Sequence, residues 1–284
     1  RVGLLKISSP PVNALGLAVR KGIVDGIAQA EKAGAKALVL AGDGVTFPAG
    51  ADIAEFATGG HRTQPTLGEV IERLDKASMP TVAAMHGTAL GGGLEVALAC
   101  HWRVMSKAAK CGLPEVHLGL LPGAGGTQRL PRLIGCAPAI KIMTSGAPLG
   151  AAEAAKLGLA DEVVAAVDGE GVAEAAVGFA EALADGVDPS RVVSARPLEV
   201  EGGVEAFFGA AREGARKAAK GELAPLLIVD AVRAAAEAPS FEAGLSRESE
   251  LFAQLAAGPE ARALQHVFFA ERQISKVVGV DAPP

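Results

Sequence analysis

Two carboxylates in unusual surroundings are the strongest sign of chemistry in this chain. Glu95 ends the segment LGGGLE (90–95) and is followed by VALAC, so its close neighbours are all apolar or glycine. A second acid, Glu115, follows twenty residues later in the segment GLPE (112–115). An ionised carboxylate in a dry site costs several kcal/mol unless a partner stabilises it. Acids placed in this way indicate a chemical role.

Backbone donors accompany these acids. Three glycines, 91–93, directly precede a predicted helix, so their N–H groups can face a negatively charged ligand. The small-residue loop 47–53 (FPAGADI) follows the predicted second strand, and Asp52 in it can cap the segment that comes next. Two such loops on neighbouring strands could present one N–H each to a developing oxyanion. Loss of one such donor typically costs about 3 kcal/mol.

Each of these features also has a structural interpretation. Glu95 alone could be an exposed residue on an otherwise apolar helix. Glu115 alone could be an acid at the start of a helix beside Pro114. The three glycines could serve close packing only. The pairing of two acids, one of them next to the glycines, favours the functional interpretation.

Strand-like and helical segments alternate through the first two thirds of the chain, which predicts an α/β fold with a largely parallel sheet. The predicted elements of this part are a strand at 2–7, a helix at 15–32, a strand at 37–41, a helix at 67–77 and a strand at 81–85. Beyond about Asp188 the strand signals vanish, and apolar spacing predicts helices at 204–220, 226–238 and 240–276, the last broken at Gly258-Pro259. The irregular connector 191–203 therefore separates two predicted parts, 1–190 and 191–284.

Composition excludes several classes of protein. The chain has 27 basic and 32 acidic residues and a formal net charge of −5, with no basic stripe on any predicted helix, so nucleic acid is not an expected partner. The longest apolar stretch, 80–100, contains a His, a Glu and four glycines, so no membrane span is expected. Cys100, Cys111 and Cys136 lack the spacing of zinc ligands and are predicted to be core thiols in a reducing compartment.

Two further patterns near the acids are interpreted as structural. The segment GAGGTQ (123–128) has Gln128 where a dinucleotide-binding loop needs its third glycine, and it is predicted to be the start of a helix that lines the pocket. His86, His101 and His117 have spacings that suit no metal triad, so they are predicted to be structural and no metal is expected.

Several motifs, in this order along the chain, together resemble the crotonase superfamily. They are PPVNA (10–14), AGADI (49–53), ALGGGLE (89–95), PEV (114–116) and LLPGAGGTQRL (120–130). Within the superfamily, roughly residues 1–190 are similar to the enoyl-CoA hydratases. The segments SRESELF (246–252) and ARALQHVFFAER (261–272) are similar to the linker helices of multifunctional fatty acid β-oxidation enzymes, both peroxisomal and bacterial.

The resemblance implies a fold and a set of catalytic residues. The implied fold is a crotonase spiral of ββα units, followed by a helical C-terminal segment that folds back over it. The N–H groups of Ala51 and Gly92 would form an oxyanion hole for the thioester carbonyl. Glu95 would act as the base toward a water molecule, and Glu115 would deliver the proton to C2.

The resemblance also implies how coenzyme A binds. The implied contacts with the CoA thioester are Ala49, Ala51, Asp52, Ile53, Gly92 and Gly123. Two positions depart from the pattern of many hydratases. Ala54 stands where many of them have Lys, which removes one expected phosphate contact. Leu113 replaces the Gln of single-function hydratases and matches the multifunctional subgroup.

The implied activity is hydration of trans-2-enoyl-CoA, with isomerisation of 3-enoyl-CoA, and it needs no metal or redox cofactor. NAD would serve only a 3-hydroxyacyl-CoA dehydrogenase part, which in this family follows the linker helices. No GxGxxG fingerprint occurs before Pro284, so the chain is expected to be either a fragment or a stand-alone hydratase. Expected partners are acyl-CoA and a fused dehydrogenase, further copies of the chain or a thiolase. The expected compartment is the cytoplasm in bacteria and the peroxisome in eukaryotes.

Three alternatives remain open. The chain could be a crotonase that only isomerises, or one that hydrolyses thioesters, and the presence of two acids favours hydration over both. It could also be a non-catalytic acyl-CoA-binding or scaffold homologue. The intact set of Ala51, Gly92, Glu95 and Glu115 argues against that last possibility.

Overall fold

The computed structural model describes residues 1–183 and 186–274, apart from the side chains of residues 56, 57 and 272–274. The strands are β1 (Val2–Ile7), β2 (Ala37–Gly42), β3 (Thr81–Met85), β4 (Thr88–Leu90), β5 (Trp102–Ser106), β6 (Lys110–Gly112), β7 (Leu149–Gly150) and β8 (Glu162–Val164). The helices are α1 (Leu17–Lys32), α2 (Ala54–Thr58), α3 (Leu67–Asp75), α4 (Gly92–Ala99), α5 (Gly126–Ile134), α6 (Cys136–Ser145), α7 (Ala151–Lys156), α8 (Gly169–Glu181), α9 (Val204–Ala218), α10 (Ala224–Glu237), α11 (Phe241–Ala256) and α12 (Pro259–Ile274). Short 3₁₀ turns lie at Gly60–Arg62, Glu115–Leu118, Pro189–Arg191 and Val193–Ala195.

Two sheets form the centre of the molecule. The larger sheet has the order β1-β2-β3-β5-β8, and every pairing in it is parallel. The smaller sheet has the order β4-β6-β7, with β4 and β6 parallel and β6 and β7 antiparallel. The prediction of an α/β fold with a largely parallel sheet is therefore confirmed.

Strand β2 explains why the sheet must be covered on both faces. All six of its residues are buried. Leu38 and Leu40 point into the main core, whereas Val39 and Ala41 point to the opposite face, where helix α8 packs. Strands of parallel sheets are buried on both faces in this way and are apolar throughout.

The predicted bounds are close to the observed ones. The strands at 2–7 and 81–85 are confirmed, and the strand at 37–41 extends to Gly42. Helix α1 begins at Leu17 instead of residue 15, because the Leu15 N–H donates to the Gly50 carbonyl and Gly16 is extended. Helix α3 ends at Asp75 instead of residue 77. Residues 275 and 276 of the last predicted helix lie outside the described residues.

The helical C-terminal region packs directly on the sheet-containing part. Helix α10 packs against α5, α6 and α9, α11 packs against α5, and α12 packs against the 3₁₀ turn that begins at Glu115. Leu227, Ile228 and Leu251 belong to the same hydrophobic core as Leu40 and Met85 of the large sheet. The described residues of the predicted parts 1–190 and 191–284 therefore share one core.

The three cysteines are buried and unpaired, as predicted. Within residues 1–183 and 186–274, no helix combines the length and the apolar character needed to cross a bilayer.

Candidate active site

Strands β4 and β6 bring the glycine turn and Glu115 to the same place. The two strands are parallel neighbours with Leu90 opposite Gly112, so the segments that follow them leave the same edge of the small sheet. The Gly91 N–H donates to the Gly112 carbonyl at 2.9 Å. A Cβ atom on Gly91 would lie 3.1 Å from Glu115 Oε1, and Gly91 has a φ of 52°, a conformation that favours glycine.

The other two glycines bring helix α4 against the loop 47–53. Helix α4 begins at Gly92, so Gly92 and Gly93 form its first turn instead of preceding it as predicted. A Cβ atom on Gly93 would lie 1.7 Å from the Pro48 carbonyl oxygen, and one on Gly92 would lie 3.3 Å from the Ala51 nitrogen. Among the described residues, no protein group accepts the Ala51 or Gly92 N–H. Both donors therefore stand ready for a ligand at the N-terminus of α4.

Glu95 lies one turn into α4 and points at the start of α5. Its side chain is buried, and Oε1 accepts the N–H groups of Ala124 and Gly126, each at 2.8 Å. Burial raises the pKa of Glu95, whereas these two N–H groups and the charge of Arg129 act in the opposite direction. The N-terminus of a helix favours a negative charge. These N–H groups and the helix N-terminus stabilise the ionised form of Glu95.

Glu115 has the opposite setting. Burial raises its pKa well above the ordinary value, and the carboxyl group of Glu95 raises it further. Its Oε2 atom is buried and has no hydrogen-bond partner among the described residues. Two acids that face each other in a dry site cannot both ionise easily. Glu115 is therefore the acid that keeps its proton.

A single cavity of about 610 Å³ contains both acids. Every predicted site residue lines it, namely Ala49, Ala51, Asp52, Ile53, Gly92, Glu95, Glu115 and Gly123. The N-cap residue of α2 is Ile53, not Asp52, but Asp52 Oδ1 still accepts the N–H of Ala54, the first residue of this helix, at 3.0 Å. The structure thus brings together residues that lie up to 74 positions apart, from Ala49 to Gly123.

The cavity wall also includes residues that sequence reasoning did not assign. Helices α11 and α12 contribute Ser249, Phe252, Gln265 and Phe268. A Cβ atom on Gly123 would lie 2.6 Å from Phe252 Cδ2, so the aromatic ring rests directly on the loop before α5. Both segments carry the resemblance to linker helices, but nothing in their spacing indicates which side chains reach the cavity.

The histidines follow the prediction in two cases out of three. His86 and His101 are buried, with ring nitrogens at 3.1 Å from the Gly44 carbonyl oxygen and at 2.8 Å from Thr81 Oγ1. His117 lines the cavity instead. In the described part of the chain, no cluster of three His, Cys, Asp or Glu side chains could hold a metal ion.

The family model described as enoyl-CoA hydratase/isomerase matches residues 1–195. The chain belongs to the enoyl-CoA hydratase/isomerase family. The crotonase resemblance of its motifs is thereby confirmed.

The relatives of this chain include much longer proteins. Over 97% of its length, the chain is 41% identical to the peroxisomal bifunctional enzyme of Cavia porcellus and covers 38% of that protein. It is likewise 41% identical over 97% of its length to the human peroxisomal bifunctional enzyme and covers 37% of it. The fatty acid oxidation complex subunit alpha of Shewanella amazonensis is 39% identical over 88% of the chain, which covers 36% of that subunit. The chain spans less than two fifths of each.

Solved structures agree on the fold. Carnitinyl-CoA hydratase from Mycobacterium avium superposes with a TM-score of 0.68 at 29% identity, over 96% of this chain and 93% of that one. An enoyl-CoA hydratase/isomerase from Pseudoalteromonas atlantica superposes with a TM-score of 0.67 at 25% identity, over 95% and 94% of the two chains. The predicted crotonase fold with a helical C-terminal segment is confirmed.

Proposed function

We propose that this chain adds water to trans-2-enoyl-CoA thioesters and so produces 3-hydroxyacyl-CoA in fatty acid β-oxidation. The observation that carries the proposal is that one cavity contains Glu95 and Glu115 together with the N–H groups of Ala51 and Gly92, for which the described residues offer no acceptor. Membership of the enoyl-CoA hydratase/isomerase family supports this reaction.

The thioester carbonyl oxygen binds between the Ala51 and Gly92 N–H groups. Attack on C3 moves negative charge onto this oxygen, and both donors then stabilise the enolate. The Gly92 N–H belongs to the first turn of α4, so the helix dipole adds to the stabilisation. Donors held in place before the reaction are typically worth about 3 kcal/mol each.

The two acids divide the proton transfers. Ionised Glu95 takes a proton from water as the oxygen bonds to C3 of the substrate. Neutral Glu115 gives its proton to C2, so that one water molecule has been added across the double bond. The different settings of the acids support this assignment, because two N–H groups stabilise charge on Glu95 whereas no group of the described residues donates to Glu115 Oε2.

In this proposal coenzyme A binds along the loop 49–53, whose residues line the same cavity as Gly123. Arg62 lines the same cavity and carries a positive charge, which the position of Ala54, where many family members have Lys, does not supply. We assign Arg62 to the CoA phosphates. Arg62→Ala raises KM for a CoA thioester several-fold and leaves kcat unchanged; an unaltered KM contradicts this assignment.

The same centre isomerises 3-enoyl-CoA to 2-enoyl-CoA. Glu115 lies next to the glycine turn and can move a proton between C4 and C2 while the oxyanion donors hold the dienolate. The substrate gains and loses one proton, so no water, metal or redox cofactor takes part.

In a longer protein, residues 1–190 form the hydratase part, and residues 191–284 lead to a dehydrogenase part that uses NAD. The names of the relatives, bifunctional enzyme and oxidation complex subunit, support this arrangement. The compartment is then the peroxisome in a eukaryote and the cytoplasm in a bacterium. A thiolase or further copies of the chain are the expected assembly partners.

Hydration of crotonyl-CoA tests the proposal, followed as loss of the absorbance of the conjugated thioester. Glu95→Gln and Glu115→Gln each lower kcat by at least about a hundredfold, the range that a positioned acid or base contributes. Glu115→Gln also abolishes isomerisation of a 3-enoyl-CoA, whereas Glu95→Gln affects isomerisation less, because only hydration uses the water.

Glu250→Gln is the matched control. Glu250 lies on α11, is mostly exposed and pairs with Arg247, so its replacement leaves kcat unchanged. Activity that survives both active-site replacements would falsify the mechanism. Tight binding of acyl-CoA by the wild-type chain without turnover would identify a non-catalytic homologue instead.

A further inference from the structure

A further buried carboxylate, Glu248, lies behind the segment that holds Glu95. Glu248 belongs to α11 in the C-terminal helical region and is 1% exposed. Its Oε1 atom accepts the Gly125 N–H at 2.7 Å, and its Oε2 atom accepts the Thr127 N–H at 3.1 Å and the Thr127 hydroxyl at short distance. A buried carboxylate is costly unless it is well supplied with donors, and this one has three.

The two carboxylates hold alternate N–H groups of one loop. Glu95 accepts from Ala124 and Gly126, whereas Glu248 accepts from Gly125 and Thr127. Gly125 has a φ of 98°, in the left-handed region that favours glycine. Such a conformation turns successive N–H groups into a concave donor site. The loop is therefore clamped between an acid of the active site and an acid of the C-terminal region.

The charged groups around Glu248 define its electrostatic setting. The carboxyl groups of Glu95 and Glu115 lie close enough to interact with it, and Arg129, whose guanidinium pairs with Asp75, lies beside Gly125. The charged residues of α10 pair elsewhere, Asp230 with Arg212 and Arg233 with Glu205 and Glu237. On α12, Glu260 accepts the Leu223 N–H, and Arg262 and His266 are exposed. On α11 itself, Arg247 pairs with Glu250.

The three acids are coupled. Burial raises the pKa of Glu248 to about 8, and the nearby Glu95 carboxyl adds to the rise, while the Thr127 hydroxyl and the two N–H groups oppose it. Glu248 in turn contributes to the raised pKa of Glu115. Replacement of Glu248 therefore changes the pKa of the proton-donating acid, Glu115, although Glu248 is not among the residues that line the cavity.

We propose that Glu248 is a positioning residue of the hydratase centre: it fixes the Gly125–Thr127 backbone so that the Ala124 and Gly126 N–H groups stay on Glu95. The C-terminal helical region then supplies part of the catalytic machinery as well as a wall of the cavity. This inference rests on the proposed hydratase function.

Crotonyl-CoA hydration by the full 284-residue chain tests it with Glu248→Gln. Gln keeps the size of the side chain but replaces one acceptor oxygen by an N–H₂ group that opposes the Thr127 N–H. The expected result is a kcat at least tenfold lower, with KM and the affinity for saturated butyryl-CoA within twofold of wild type. The basic limb of the pH profile shifts to lower pH, because loss of a neighbouring carboxyl lowers the pKa of Glu115.

Glu248→Asp separates geometry from charge. It keeps the carboxyl but shortens the side chain, so kcat falls while the basic limb shifts less than in Glu248→Gln. Glu250→Gln, on the same helix, is the control and behaves like wild type. If Glu248→Gln does not fold, Thr127→Val carries the test, because it removes the hydroxyl donor to Glu248 and keeps the carboxylate with its two N–H donors. The Gln128 amide, which donates to the same hydroxyl, keeps its bond to the Ala231 carbonyl. For that variant, at least a threefold loss of kcat at unchanged KM is expected.

The outcomes are distinguishable. A Glu248→Gln variant, or in its place Thr127→Val, with wild-type kcat per folded molecule overturns the inference. A loss of kcat that only follows a loss of folded protein, with the pH profile unmoved, also overturns it, since Glu248 would then serve stability alone. Inactive wild type and inactive Glu250→Gln would instead refute the proposed hydratase function.

Discussion

Gly92→Ala is the sharpest test of the oxyanion hole. A methyl group on Gly92 would lie 3.3 Å from the Ala51 nitrogen and 2.8 Å from Leu67 Cδ2. An oxyanion bound by both N–H groups must lie about 2.9 Å from each nitrogen. The methyl group therefore stands beside the position that the oxygen needs and pushes it away from at least one donor.

The expected drop in kcat follows from the free energy that one hydrogen-bond donor contributes to the transition state. Loss of a single oxyanion-hole hydrogen bond costs about 2.7–4 kcal/mol, or roughly a 10²- to 10³-fold drop in kcat. The fold is retained, because alanine in a helix is more favourable than glycine by about 0.5–1 kcal/mol. The close contact with Leu67 involves only the end of a half-buried side chain, which can move.

Crotonyl-CoA turnover and thermal unfolding are measured together on Gly92→Ala and two other glycine variants. Gly22→Ala is the control, because Gly22 is exposed on α1 and a Cβ atom there has no neighbour within 4 Å. Gly93→Ala should fail to fold, since its Cβ would lie 1.7 Å from the Pro48 oxygen. A folded Gly92→Ala variant with kcat within threefold of wild type would show that the Gly92 N–H does not bind the oxyanion.

Three other predictions concern the support of the site and the stability of the fold. Gly126→Ala places a methyl group 2.9 Å from Glu95 Oε1 and 2.8 Å from Pro122 Cβ, so the start of α5 must shift and kcat per folded molecule falls at least tenfold in steady-state assays; unchanged kcat contradicts this. Asp161→Ala leaves the fully buried Arg103 without its carboxylate at 3.1 Å and lowers the free energy of unfolding in urea by about 3–5 kcal/mol; a loss below about 1 kcal/mol refutes it. Burial lowers the pKa of His101 from 6.5 to about 4. The unfolded chain therefore takes up a proton first, and about 3 kcal/mol of stability, present above pH 6.5, is lost as the pH falls to about 4. His101→Gln should flatten this dependence in urea titrations, and an equally steep curve would contradict the assignment.

The sequence alone was sufficient to select, as candidate site residues, those whose local surroundings are unusual. Glu95 in an apolar segment, the glycines before it and the loop 49–53 each stand out without any tertiary information, and the order of motifs indicated the family. The strand ends of β4 and β6 then explain why Glu115 joins them. These predictions depended on periodicity and on the chemistry of single residues, and both can be recognised directly in the amino-acid sequence.

Other features depend on contacts that no local pattern encodes. The donors to Glu95 lie 29 and 31 residues away, and their direction depends on how Gly125 turns the chain before α5. Glu248 contacts a loop 123 residues earlier and reads in the sequence as one more acid on an amphipathic helix. The early start predicted for α1 was wrong for a similar reason, because Leu15 is held by the distant Gly50 carbonyl.

The C-terminal wall of the cavity affects when the site can form during synthesis of the chain. This wall consists of Ser249, Phe252, Gln265 and Phe268. On the ribosome the two acids emerge first, long before the last helices have been synthesised. Until α12 has been synthesised and has packed, the cavity lacks the wall to which Gln265 and Phe268 belong. Competence for turnover is thus postponed to one of the last events of translation of this segment.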